Sequence, residues 1–284
     1  MSKIKFSAFA DEVTSDFEDQ VKFLVEQNVP AIEIRFVDGK NIMDLSKKEL
    51  EKTRRILKEN DIAVSAIGSP IGKVSLDKPF SIHLEKFKHA IDLANYFDTS
   101  FIRVFSYYAP EGKNIDNYRE EVIGRMAKKA ELLNNTGVVM VHENESHIYG
   151  HSAANCVDIM ESVNSPNLKL AYDPANFVWG DNITNNIEVC WPIMKPYVAH
   201  VHIKDWKLGS TDIGSMPGNG DGQIRELLRE LKNDNYNGYL TMEPHLRVGG
   251  QFGGDTGPEL FAQALALTKI MCLEEGLAFD EFIN

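Results

Sequence analysis

Cysteine is scarce: the 284 residues hold three, Cys156, Cys190 and Cys272, far apart and without a C-x-x-C pair. Neither a disulfide framework nor a cysteine zinc site fits that spacing, and a reducing cytosol is the expected compartment. All three fall in helix-patterned stretches with no motif that would lower a thiol pKa, so none is expected to be catalytic. A basic excess is also missing. Thirty Lys plus Arg face 42 Asp plus Glu, a formal charge of −12, which argues against nucleic acid as a partner. No apolar run nears the roughly 18 residues of a membrane span. The opening MSKIKFSAFADEV meets acidic residues before a signal-like core can form. The chain is therefore expected to be soluble, cytoplasmic and unprocessed. Without a secretory signal, the N-x-S/T triplets at Asn134, Asn144 and Asn182 read as chance matches. Linkers and low-complexity tracts are absent too, so residues 1–284 are read as one domain.

What is present is a repeated alternation. Hydrophobic residues make up 43% and charged residues 25%, enough apolar side chain for a large core and too much for a disordered chain. Short β-branched or aliphatic runs recur at residues 4–9, 31–36, 62–67, 101–105, 138–143, 168–173, 198–203 and 239–243. Between them lie stretches of helical period, such as Phe17, Val21, Leu24 and Val25 on one face. Ser15 with Glu18 and Ser46 with Glu49 read as capping boxes, and Pro258 fits a first helical turn. Eight strand-then-helix units call for a parallel sheet with right-handed crossovers, and a closed (β/α)8 TIM barrel is the simplest α/β architecture that supplies it. An open dinucleotide-binding sheet is disfavoured, because SAFADEV follows the first strand where a Gly-rich turn belongs.

A strand buried on both faces should read apolar, so charge at its carboxyl end needs a reason. Glu33 and Arg35 close the second strand, Arg103 lies in the fourth, and Glu143 and Glu145 end the fifth. Asp173 ends the sixth, His200, His202 and Lys204 the seventh, and Glu243 and His245 the eighth. The carboxyl face is where barrel enzymes assemble their sites. Glu143, Asp173, His202 and Glu243 come from four consecutive strands and can converge on one divalent ion. Three carboxylates and an imidazole suit Mn, Mg, Co or Zn. The competing reading is a buried salt-bridge network with Arg35, Arg103 and Lys204.

VMVHENE, LAYDPAN, HVHIKDW and YLTMEPH, in this order on strands five to eight, resemble the sugar phosphate isomerase/epimerase family of xylose-isomerase-like barrels. The resemblance runs the length of the chain. It implies that Glu143, Asp173, His202 and Glu243 bind the metal and that Glu143 and Glu243 also move protons. His202 is preferred to His200 because it precedes Lys204-Asp205 in the family's H-x-K-D pattern, leaving His200 one layer deeper and bonded to a ligand or substrate. Glu145 is expected to contact substrate, with Arg35, Arg103, Asn176, Lys204 and Trp206. Lys204 is read either as polarising a substrate oxygen or as pairing with Glu243. Asn176 stands where ketose epimerases and apurinic endonucleases carry histidine after D-x-x, and an amide cannot shuttle protons as imidazole does. D-P-x-N is similar to inosose dehydratases and keto-inositol isomerases, which moves cyclic polyols forward.

Phe177, Trp179 and Trp206 are expected in loops after strands six and seven, where an aromatic plane can pack on a sugar ring. The glycine-rich loop 216–222 reads either as a tight connection or as an anion cradle ahead of a helix near Gln223. The leading expectation is a metal-dependent sugar or cyclic-polyol isomerase or epimerase that abstracts a proton beside a carbonyl. A dehydratase of a keto-inositol or related keto-polyol is the alternative on the same site. A metal-dependent endonuclease would need further ligands and a basic surface, and a non-catalytic sugar-binding barrel would not need to retain four ligands. A homodimer is the default assembly.

Overall fold

The computed structural model describes residues 3–250 and 253–280. Eight parallel strands form a nearly closed barrel: β1 (Lys5–Ala8), β2 (Ala31–Ile34), β3 (Ala63–Ile67), β4 (Phe101–Val104), β5 (Val139–Glu143), β6 (Leu168–Tyr172), β7 (Val198–Ile203) and β8 (Tyr239–Met242). The hydrogen-bonded order is β1-β8-β7-β6-β5-β4-β3-β2, so each strand neighbours its predecessor in sequence, and β1 packs beside β2 to bring the ends together. This is the (β/α)8 barrel expected from the alternation.

The helices between strands are α1 (Phe17–Glu26), α2 (Lys47–Glu59), α3 (Phe80–Tyr96), α4 (Arg119–Leu132), α5 (Ala153–Val163), α6 (Pro174–Asp181), α7 (Ile224–Asn233) and α8 (Pro258–Glu275). Ser46 and Glu49 form the expected capping box on α2. At α1 the helix begins one residue later than Ser15 predicts: Asp16 is the cap, its carboxylate accepting from Asp19 N. Asp and Ser cap almost equally well, so the geometry of the preceding turn decides between neighbours. Phe177 and Trp179, expected in a loop, lie on α6. Cys190 joins two single-turn helices rather than sitting inside one. All three cysteines are free and buried, and burial pushes each thiol pKa up. Among the described residues no helix is long and apolar enough to cross a membrane.

Strand alternation sorts two surfaces. Phe6, Ala8, Ile32, Ile34, Leu240 and Met242 are fully or almost fully buried and form the apolar layer under the helices. The other parity points inward, and it is polar. Ser7 on β1 meets Ser65 on β3 at 2.6 Å, across β2. His200 on β7 reaches Glu33 on β2 at 2.7 Å. Such partners, on non-adjacent strands, can meet only through the barrel interior. The interior is thus wired by hydrogen bonds below the open end.

Candidate active site

The upper interior holds the charged strand ends. In the β6–β7 register Tyr172 faces Val201, so the next residue, Asp173, falls level with His202 rather than His200. Ligand atoms of Glu143, Asp173, His202 and Glu243 all lie within 4.8 Å of one another, and all four residues are buried. Glu145 is not in this group, and the choice of Glu143 over it agrees with the geometry.

Local sequence builds the platform. Asp173 caps α6, its Oδ1 accepting from Asn176 N at 3.1 Å, and Pro174 occupies the first helical turn where its missing N–H costs nothing. Asn144 then locks β5 to β6: its Nδ2 donates to Asp173 O at 2.8 Å and its Oδ1 accepts from Asp173 N at 2.9 Å. A fully buried Asn144 in that role cannot be a glycosylation acceptor. Asn176 Nδ2 donates to Asn144 O at 2.9 Å and approaches Glu143 Oε1 at 3.4 Å. The amide of Asn176 thus ties the first turn of α6 to the end of β5.

Cations interleave with the carboxylates. Arg35 pairs with Glu243 and with Asp11, each at 2.9 Å, and Arg103 lies 3.3 Å from Glu143 Oε2. Both guanidinium carbons sit over the Phe9 ring, at 4.2 and 4.8 Å. Lys204 pairs most closely with Asp173, at 2.7 Å, and also forms the expected ion pair with Glu243, at 3.8 Å. His202 turns Nδ1 towards Glu143 (3.2 Å) and Glu243 (3.4 Å) and Nε2 towards Glu33 (3.2 Å). His200 lies one layer deeper, as expected, fully buried against Glu33 and Thr241.

The electrostatics follow. Burial opposes charge on Glu143, but His202 and Arg103 outweigh it and hold the carboxyl at about 2. Burial likewise opposes charge on Glu243, and Lys204 and His245 bring it well below the ordinary range. Asp173 goes the other way: burial, with Glu143 and Glu243 adding repulsion, pushes it up to about 6 against the pull of Lys204. Burial opposes an imidazolium at His202, yet Glu143 and Glu33 favour positive charge there. Positive charge is thus wanted at the centre of the quartet.

A divalent cation fits that demand. Among the described residues no hydrogen bond reaches Glu143 Oε2 or Glu243 Oε2, although both are buried. Each is met only by ion pairs, Glu143 Oε2 by Arg103 at 3.3 Å and Glu243 Oε2 by His202 at 3.4 Å and Lys204 at 3.8 Å, and a buried oxygen without a hydrogen bond is costly. Oxygen donors with a single imidazole match Mg, Mn, Co or Zn, and Glu33 stands behind His202 where a carboxylate would orient a metal-binding histidine. The salt bridges of Arg35, Arg103 and Lys204 coexist with this set.

Several residues at the site were not singled out from sequence. Glu12, just after β1, is buried and takes His245 N at 3.0 Å and Thr256 Oγ1 at 2.8 Å on one carboxylate oxygen. Its backbone oxygen accepts from Thr256 and Gly257. It thereby fastens both ends of a hairpin, β9 (Arg247–Gly250) and β10 (Gly253–Asp255), beside the opening. His245 Nε2 lies 3.1 Å from Glu12 and 3.3 Å from Glu243. Those two carboxylates overcome burial and raise its pKa to about 9. Lys73 pairs with Glu145 at 2.9 Å at the rim. Acidic Glu12 directly after the first strand was the available signal; the hairpin it secures has none. Loop 216–222 is a tight connection: Asp205 fills it, accepting from Gly218, Gly220, Gly222 and Trp206 N–H groups at 2.8 to 2.9 Å. A Cβ on Gly220 would fall 2.3 Å from Asp205 Oδ1, which explains the glycine.

Above the quartet opens a cavity of about 350 Å³, floored by Glu143, Glu243 and Lys204 and reaching Trp179, Trp206 and Arg247 at the mouth. The family model described as xylose isomerase-like TIM barrel matches residues 21–270. A probable 3-DHS dehydratase from Bacillus anthracis superimposes with TM-score 0.74 at 19% identity, over 94% of this chain and 99% of that one. D-psicose 3-epimerase with D-tagatose from Clostridium cellulolyticum H10 gives 0.74 at 15%, over 98% and 100%. A xylose isomerase-like TIM barrel protein from Mycobacterium smegmatis in complex with magnesium gives 0.74 at 15%, over 97% and 98%. At such identities the likeness establishes the fold alone. No curated protein matches the chain.

Proposed function

The chain belongs to the xylose isomerase-like TIM barrel family, and on that footing we propose that it is a divalent-metal-dependent isomerase or epimerase of a sugar or cyclic polyol. The convergence of Glu143, Asp173, His202 and Glu243 at the open end of the barrel carries this reading. Those four residues would hold one ion, which when bound supplies positive charge beside a developing oxyanion. Glu143 and Glu243 are both held ionised. Each is thus able to accept a proton from a carbon next to a carbonyl and to return it. They come from β5 and β8, the two ends of the four-strand arc, and so address opposite faces of a planar intermediate. Lys204 and Asn176 stand at the cavity wall to orient substrate oxygens.

Loss of a β-hydroxyl after the same proton abstraction makes the dehydratase the second reading. Asn176 in place of histidine is compatible with it, since D-P-x-N resembles inosose dehydratases as well as keto-inositol isomerases. The test is exchange of the substrate α-proton in ²H₂O with keto-sugars and keto-inositols, on protein whose metal content has been measured. Exchange with an epimerised or isomerised product supports the first reading, and exchange with a dehydrated product the second. No exchange on any of them, with metal bound, removes both.

A further inference from the structure

Three cations of the cavity are threaded on two aromatic rings. Arg35 Cζ stands 4.2 Å from the centroid of Phe9, and Arg103 Cζ 4.8 Å from that same ring. Arg103 Cζ is also 5.1 Å from the centroid of Phe105, over which Lys73 Nζ lies at 4.3 Å. Arg35, Phe9, Arg103, Phe105 and Lys73 thus form one continuous row. Each cation in it answers one carboxylate: Arg35 meets Glu243 at 2.9 Å, Arg103 meets Glu143 at 3.3 Å and Lys73 meets Glu145 at 2.9 Å. All three cations line the cavity, and both rings are fully buried. Phe9 and Phe105 directly follow β1 and β4, and glycines in the loop after β3 make room for them. A Cβ on Gly68 would fall 2.9 Å from Phe9 Cε1, and one on Gly72 would fall 2.0 Å from Phe105 O. The Phe9 ring also stands edge-on to His202, centroids 5.3 Å apart at 77°. It therefore touches both arginines and a member of the quartet.

The pairing geometry shows what the row prevents. An arginine beside a carboxylate frequently takes it in a two-pronged fork, a strong arrangement that occupies both oxygens. Neither arginine does so here. Arg35 gives Glu243 Oε1 one Nη1 and turns its Nε to Asp11, 2.9 Å away. Arg103 comes to 3.3 Å from Glu143 Oε2 without a hydrogen bond. The Oε2 atoms of Glu143 and Glu243 thus stay clear of hydrogen bonds, as metal ligands must. A guanidinium over an aromatic face is drawn to the negative face of the ring, more strongly where water is excluded. That attraction opposes the swing into a fork. We propose that Phe9 and Phe105 are positioning residues, which hold Arg35, Arg103 and Lys73 in a row so that no guanidinium turns in to take the carboxylate oxygens a divalent ion needs. This rests on the metal-binding reading of the quartet and adds to it residues that touch neither ion nor substrate.

The test is the Mn²⁺ affinity of the intact protein, by titration calorimetry, with Phe9 replaced in turn by mono-, di- and pentafluorinated phenylalanine. Fluorine withdraws negative charge from the ring face and leaves the shape of the side chain nearly unchanged. Affinity is expected to fall stepwise along the series, to about ten-fold below the parent at its end. Phe9→Leu should fall at least as far, with circular dichroism verifying the fold of every protein. A ring that only fills space would leave all three fluorinated proteins at the parental affinity. That result, or an affinity that rises along the series, overturns the proposal. The parent separates the two failures: Mn²⁺ binding in the parent with a level series keeps the metal reading and removes the role of the row, and no binding in the parent removes both.

Discussion

His202 Nε2 lies 3.2 Å from Glu33 Oε2, on the edge of the ring turned away from Glu143 and Glu243. Glu33 also holds His200 at 2.7 Å, so one buried carboxylate orients both histidines of β7. Glu33→Gln removes the charge and keeps the shape. Divalent-metal affinity should fall about 10- to 100-fold, measured by titration calorimetry with Mn²⁺, and an unchanged affinity would detach Glu33 from the site.

Asp173→Asn and His202→Ala each delete one member of the quartet. About one ion per subunit is expected in the parent and far less in either variant, by elemental analysis after gel filtration. The barrel should persist, because these side chains stand on the catalytic face of the fold. Parental stoichiometry in either variant rules out the ligand set.

Glu243→Gln separates chemistry from binding. Assayed at saturating metal with occupancy measured directly, it should lower turnover by about 10²- to 10⁴-fold with a much smaller change in substrate affinity, since a base acts mainly in the transition state. If α-proton exchange continues while turnover stops, Glu243 returns the proton and Glu143 abstracts it. Exchange and turnover both at the parental rate exclude Glu243 from the mechanism.

Lys129 makes one separable contribution to the pH dependence of stability. Its amine is fully buried on α4, 4.8 Å from the centroid of Tyr107, and among the described residues no hydrogen bond reaches Nζ. Burial, helped by Arg125, lowers its pKa to about 7. The unfolded chain keeps that proton up to ~10.4. Between the two values the unfolded state binds the proton that the folded amine has lost, so the contribution of Lys129 to stability rises with pH by about 1.4 kcal/mol per unit, against the opposite slope from His245, whose pKa is raised to about 9. Lys129→Met should therefore make the slope of urea midpoint against pH between pH 7 and pH 9 less positive than the parent's, and should stabilise the protein more at pH 7 than at pH 9. Parallel profiles for variant and parent would contradict this.

The strands were legible because each is a short aliphatic run, and the quartet because charges such as Asp173 and Glu243 interrupt those runs where an apolar residue belongs. The partners of those charges were not legible. The pairing of Lys204 with Glu243 was one of two readings of the sequence and is present, but the closer pair with Asp173 was not foreseen; both carboxylates follow strands adjacent to β7, and only three-dimensional register ranks them. His200 and His202 share a parity, and which one meets ligand depends on the stagger between β6 and β7. Trp179 was expected in the loop after strand six, whereas Asp173 and Pro174 start a helix there that carries it. Glu12 binds residues more than 230 positions away, a relation no local pattern contains.

Asp205 occupies the glycine-rich loop as a ligand that can never diffuse away. Its carboxylate already draws on the backbone donors of Gly218, Gly220 and Gly222. Tethered as it is, it acts at an effective concentration that on the general scale for short tethers is millimolar or above. Free phosphate at ordinary levels competes poorly with such an occupant. The loop is thus closed to the phosphate of a sugar ester, and a phosphorylated substrate would have to find its anion contacts elsewhere on the rim, at Lys73 or Arg247.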